Sequence, residues 1–189
     1  MNKNMHNQSM PMMGWGRFCA MIAVSTVIMF GLMYLNTYQA DHIFFSQTRM
    51  WMALYMGAAM AAIMLGFMWK MYAGQGIRLA VMAGSAVAFG LGVFLVRSQA
   101  TVGDEAWMKA MIPHHSIAVL TSSRANLGDP RVRKLADQII EAQVREIEQM
   151  KLLIADIDAH GKRGDGSSLS ARPAVLTPAM KATATAEVR

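Results

Sequence analysis

Residues 50–69 read MWMALYMGAAMAAIMLGFMW, twenty positions without a charge between Arg49 and Lys70. A helix crosses the hydrocarbon layer of a bilayer with roughly 20 predominantly apolar residues, so this stretch reads as a membrane span. Two more lie on either side of it. Phe18–Leu35 is nearly all apolar within an uncharged run from Arg17 to Asp41, and Leu79–Val96 is uncharged between Arg78 and Arg97. The first span is too long for the apolar region of a cleaved signal peptide and has no clear small-residue cleavage motif, so it is expected to stay. Trp15, Tyr34, Tyr38, Trp51, Trp69 and Tyr72 fall at the ends of the spans, where interfacial aromatics belong.

The chain of 189 residues is 54% hydrophobic and only 16% charged, with a positive mean hydropathy of +0.27. Disorder along its whole length is excluded, because that needs low hydrophobicity. The single Cys19 excludes an intramolecular disulfide scaffold and a clustered-cysteine zinc site. The net charge of +6 divides into +4 over residues 1–96, −1 over 97–160 and +3 over 161–189. That basicity flanks spans and a tail instead of forming one patch, so no nucleic-acid partner is expected.

Lys3, Arg17, Lys70 and Arg78 lie on one side of the spans, and Arg49, Arg97 and Lys109 on the other. The positive-inside rule then puts the N-terminus inside and residues from about 97 onward outside. In a bacterial inner membrane the outside is the periplasm. Gly57/Ala61, Ala62/Gly66, Gly84/Ala88, Ala86/Gly90 and Ala88/Gly92 supply small pairs for close helix packing. The spans contain no Asp, Glu, Lys, Arg or His, which argues against a proton-coupled carrier.

Beyond the spans, Trp107, Met108, Met111, Ile112, His115, Ala118, Val119 and Ser122 recur at helical spacing, after a capping pair of Thr101 and Asp104. Asn126, Gly128, Asp129 and Pro130 mark a turn, with Asp129 as N-cap and Pro130 as first helical residue of the next element. Its stripe is Val132, Leu135, Ala136, Ile139, Gln143, Ile147, Met150, Ile154 and Ile157. The expected fold is therefore all-α: a leader over 1–16, three transmembrane helices over 17–99, a periplasmic two-helix hairpin over 100–160 and a disordered tail over 161–189. A two-helix core is small, so the hairpin is expected to complete a four-helix bundle by dimerisation or to pack on the membrane domain.

The chemistry concentrates in Met111-Ile112-Pro113-His114-His115. At about 100° per residue, Met108, Met111 and His115 share one helix face, whereas His114 points away beside Trp107. Gln143 and Met150 lie on the facing stripe, with Glu146 at its edge. Thioether and imidazole together suit a soft ion, Cu(I) or Ag(I). The competing account is that the methionines fill a helical core and His115 is a hydrogen-bonded core residue. On residue types alone the packing account has the advantage.

The segment from Trp107 to Ala118, WMKAMIPHHSIA, followed by Asp129-Pro130 and by Glu146-Ile147-Glu148-Gln149-Met150, resembles the domain of unknown function 305 family over about residues 100–158. The resemblance implies a ferritin-like helical character and, from some members, copper or silver binding and tolerance in the bacterial envelope. It carries metal-ligand roles onto Met111, His114, His115 and Met150, and more weakly onto Met108 and Glu146. Ser116 stands where the family often has Gln. Di-iron ferritin-like sites use Glu-x-x-His pairs, and no such pair occurs in the sequence; no phosphate loop or nucleophile-elbow serine occurs either. The expectation is a metal binder with copper or silver as its cofactor, not an enzyme. Its expected partners are the bilayer, a second copy and envelope metal-handling proteins.

Two further methionine patterns invite a metal reading and a bland one. Met52, Met56, Met60, Met64 and Met68 repeat every fourth residue along the second span, as a conduit or, more economically, as packing. Met1, Met5, His6, Met10, Met12 and Met13 either scavenge a soft ion or form an unstructured leader. Asp41 and His42, in the first outer loop, have no place that the sequence can assign.

Overall fold

The computed structural model describes residues 14–165 and 167–188. Among them are six α-helices and no strand: α1 (Trp15–Leu32), α2 (Gln47–Phe67), α3 (Gln75–Ser98), α4 (Asp104–Arg124), α5 (Pro130–His160) and α6 (Pro178–Val188). The chain forms two compact units. One comprises residues up to Leu35 and Phe45–Ala110; the other comprises Asn36–Phe44 and the chain from Met111. The N-terminal Met/His pattern, Met1 to Met13, lies outside the described residues.

α1, α2 and α3 are long and apolar enough to cross a membrane. They pack up–down–up with α2 in the middle. The register of α1 on α2 is fixed by three places along it: Phe18 clusters with Leu65, Gly57 meets Thr26, and Arg49 reaches Met33. A Cβ added to Gly57 would stand 2.4 Å from Thr26 Oγ1, and one added to Gly92 would stand 2.9 Å from Tyr55 Cβ and 3.2 Å from Tyr55 N. These are the glycines that let backbones approach. Gly66, Gly84 and Gly90 would meet nothing within 4 Å, so small-residue spacing marked more contact points than α2 and α3 use. The methionine ladder of α2 is half-buried throughout.

Both interhelical turns of this unit are held by an arginine from the start of the next helix. Arg49, buried in the first turn of α2, donates through Nη1 to the carbonyl of Met33, the C-cap of α1, and its guanidinium lies 4.5 Å from the Tyr34 ring centroid. Arg78, in the first turn of α3, donates to the Trp69 carbonyl at 2.7 Å and lies 4.9 Å from that ring. A cation is favourable at a helix C-terminus, where carbonyls lack partners, and again over an aromatic face. The two residues that the sequence offers as flanking charges thus also tie down the turns.

The boundary between the units falls inside α4, between Ala110 and Met111, and not near residue 99 where apolar character ends. Hydrogen bonds from Thr48 Oγ1 to Gln99 Oε1 (3.4 Å) and from Trp51 Nε1 to Thr101 Oγ1 (3.1 Å) keep the segment after α3 with the membrane helices. The Thr101 hydroxyl, just before α4, accepts the Trp51 indole N–H.

In the second unit α4 and α5 are linked by residues 125–129. Asp129 caps α5 by accepting from Arg131 N at 2.8 Å, with Pro130 opening the helix, as the sequence predicts. The buried residues of this unit are His42 of the 36–44 loop, Ile112, Pro113, Ser116 and Val119 on α4 and Ala136, Ile147, Met150 and Ile154 on α5, the helical ones forming two sets. Both sets follow helical spacing. Val132 and Leu135, assigned to the apolar stripe, are exposed, because the buried face of α5 starts one turn later. Within 161–189, where composition suggests disorder, α6 forms: Thr177 Oγ1 accepts from Met180 N at 3.2 Å and Pro178 opens the helix, although the residues with described side chains are exposed.

Candidate metal site on the helical hairpin

His115 is the centre of the site. Its Nδ1 lies 3.0 Å from the carbonyl oxygen of Met111, one turn earlier on α4, and its Nε2 lies 2.9 Å from Glu146 Oε2 on α5. A carbonyl can only accept, so Nδ1 carries a proton and Nε2 faces the carboxylate. The His115 side chain is 12% exposed and that of Glu146 42%, so the pair sits at the edge of the hairpin, reachable from solvent on the carboxylate side. Met150, four residues beyond Glu146, is buried, and Met111 is half-buried.

The other expected ligands are placed less closely. His114 is exposed, its ring centroid 6.3 Å from that of His115, which is the divergence that consecutive helical positions impose. Met108 is buried, on the part of α4 that belongs to the first unit. Among the described residues no group of three or more His, Cys, Asp or Glu is placed to hold an ion. The donor set therefore does not fit a hard divalent cation. The fit to a soft one is partial: one imidazole and one carboxylate are in contact, and thioethers of Met111 and Met150 lie on the same two helices.

A second network joins the loop at 36–44 to the hairpin, through residues that the sequence could not place. Ser116 Oγ accepts from Tyr38 N at 2.7 Å and lies 2.9 Å from His42 Nδ1. His42 Nε2 faces Asp41 Oδ1 at 3.8 Å, and Asp41 Oδ2 accepts from Lys151 Nζ of α5 at 2.6 Å. Burial pushes the His42 imidazole below its ordinary value, the Asp41 carboxylate works the other way, and Lys151 adds to the lowering. The hydrogen bond from Lys151 holds the Asp41 carboxyl below its usual range, helped by the charges of His42 and Lys151. His42 is therefore held neutral, with the Asp41 side favouring a proton on Nε2 and the Ser116 hydroxyl donating to Nδ1. Although serine, histidine and aspartate line up, Ser116 is fully buried and its oxygen already takes the Tyr38 N–H. The trio is a latch and offers no accessible nucleophile.

Sequence reasoning missed Ser116, Tyr38 and Lys151. The available signal was a small polar residue within the buried series Ile112, Pro113, Ser116, Val119, since a buried hydroxyl needs a partner. An open groove of about 310 Å³ between the start of α5 and α6, lined by Val132, Leu135, Gln138, Ala184 and Glu187 among others, contains neither histidine nor methionine.

Residues 94–187 match the family model described as Domain of unknown function (DUF305). This half of the chain is a DUF305 domain. The match begins in the last turns of α3 and takes in α4, α5 and most of α6, so the DUF305 domain reaches further than the motif residues on their own indicate. The chain is also similar to Uncharacterized protein L153 of Acanthamoeba polyphaga mimivirus, 38% identical over 64 residues, which are 33% of this chain and 42% of that protein. The matching part thus spans less than half of the viral relative. No solved structure matches.

Proposed function

We propose that this is a bacterial inner-membrane protein whose DUF305 domain lies in the periplasm and binds a soft monovalent ion, Cu(I) or Ag(I), in envelope metal tolerance. It acts as a binder and not as an enzyme. The orientation rests on the lysines and arginines flanking the spans, Lys3, Arg17, Lys70 and Arg78 against Arg49, Arg97 and Lys109. The observation that carries the metal reading is the His115 geometry. Metal-ligating histidines commonly donate their other ring N–H to a backbone carbonyl, which fixes the tautomer and aims the free nitrogen. His115 donates from Nδ1 to Met111 O and aims Nε2 at Glu146. Met111 lies one turn before His115 on α4 and Met150 one turn after Glu146 on α5, and their thioethers, with His114 as an outer contributor, would complete the donor set for an ion entering between Nε2 and Glu146.

The test is a titration of the full-length protein in detergent with Cu(I) under competition from a chelator. His115→Ala should weaken binding, whereas Met180→Ala, on the exposed tail helix, should not. Binding indifferent to His114, His115 and Met111 sinks the reading.

A second reading, a membrane assembly protein without metal, is favoured by the exposed Leu135 and Leu153 of α5, five helical turns apart on one side. Its expectation is at least a dimer by mass in detergent, whatever the metal content, with homo-oligomer contacts through α5.

A further inference from the structure

The three-helix unit gathers thioethers at the end where α1 begins. Phe18, Ala61, Leu65 and Tyr72 form a buried cluster there. Five methionines pack against it from four segments: Met21 of α1, Met64 of α2 with its C-cap Met68, Met71 of the turn over Trp69–Met71, and Met82 of α3. The sequences of α1, α2 and α3 contain no aspartate, glutamate or histidine. An apolar core needs no particular sulfur content, and leucine fills such space with better-defined rotamers.

A second observation points to a ligand. Tyr72 is 2% exposed, yet its hydroxyl has no hydrogen-bond partner among the described residues. A hydroxyl buried without a partner is costly, and a cation beside it would engage the oxygen lone pairs. Trp15 and Phe18 pack on the Tyr72 ring, with centroids 4.9 Å and 5.2 Å away, and help to shield it from solvent.

We propose that this cluster is an intramembrane thioether site for a soft monovalent cation, Cu(I) or Ag(I). Thioether sulfur selects soft ions. The single charge matters as well, because the cost of taking an ion out of water rises with the square of its charge. Sulfur from α1, the C-terminal end of α2, the turn and α3 meets such an ion with no carboxylate in these helices, beside an Arg78 guanidinium already engaged by the Trp69 carbonyl and ring. The site is separate from the hairpin: it shares no residue with the His115 pair, and either can fail without the other.

The test uses full-length protein in detergent, with Ag(I) as the redox-inert probe. In a Cys19→Ser/His114→Ala/His115→Ala background, which removes the thiol and disables the hairpin, the protein should retain an equivalent of Ag(I) whose first shell by X-ray absorption is thioether sulfur with at most the one Tyr72 oxygen. Adding Met64→Leu, Met68→Leu and Met82→Leu keeps the volume and should abolish that equivalent while helicity is unchanged. Should the triple variant fail to fold, Met64→Leu and Met82→Leu singly, on different helices, should each weaken it. Absence of Ag(I) from that background, a first shell dominated by nitrogen or oxygen, or retention of the equivalent by the folded leucine variants would overturn the proposal.

Discussion

His42 Nδ1 and Ser116 Oγ meet at 2.9 Å although 74 positions separate them in the chain. The serine oxygen also takes the Tyr38 N–H, so one small side chain on α4 holds two points of the 36–44 loop. Ser116→Ala leaves the Tyr38 amide and the His42 ring nitrogen without that partner, at a cost of about 1–3 kcal/mol. Hydrogen exchange should find the Tyr38 amide protected in the wild type and exchanging markedly faster in the variant. Equal protection would show that the loop is held by other means.

The same latch makes stability depend on pH in a defined direction. Burial lowers the folded-state pKa of His42 below 6.5, against the pull of Asp41 and with the push of Lys151. The open state then binds the proton more readily than the closed one, so the latch has its full strength above about pH 6.5 and loses it as pH falls through the lower folded value. Protection of the Tyr38 amide, corrected for intrinsic exchange, should decline below pH 6.5 in the wild type. In His42→Gln that decline should flatten. Raising the salt should weaken the Asp41–Lys151 contact, since an ion pair open to solvent is screened.

As a ligand in the proposed site, His115 would have to present Nε2, which faces Glu146 Oε2 at 2.9 Å, free of a proton. Cu(I) binding to the wild type should therefore release protons, seen as a binding enthalpy that varies with the ionisation enthalpy of the buffer, and affinity should fall as the solution is acidified. Glu146→Gln offers an amide N–H to Nε2 and removes the carboxylate, so proton release should shrink. A buffer-independent enthalpy in the wild type would argue that His115 is not a ligand.

The glycines of the spans should differ sharply in their tolerance. Gly92→Ala puts its Cβ against the Tyr55 backbone and Gly57→Ala puts its Cβ on Thr26, and overpacking of this kind costs about 1–3 kcal/mol. The effect should be larger at Gly92, where backbone must move, than at Gly57, where a side chain yields. Gly84→Ala and Gly90→Ala meet open space and should leave thermal stability in detergent unchanged or slightly raised. Similar losses at all four positions would contradict the packing described for α2 and α3.

The local features were legible in the sequence because each is a local physical demand. A bilayer requires a long apolar run, and the chain has three; a helix start without partners for its N–H groups requires a cap, and Asp129-Pro130 provides it. The helical period placed Ile112, His115 and Val119 within one turn-to-turn series, and Ala136, Ile147, Met150 and Ile154 within another. Periodicity assigns a residue to a face but does not say what that face meets. Only the tertiary structure joined Ser116 to His42 and Tyr38, and Asp41 to Lys151 across 110 positions. It also set His115 against Glu146, chose Gly57 and Gly92 from several small residues, and turned Arg49 and Arg78 from flanking charges into clamps on carbonyls. Those partners are separated by long loops of chain, and their pairing depends on the register and rotation of packed helices, which neighbouring residues do not encode.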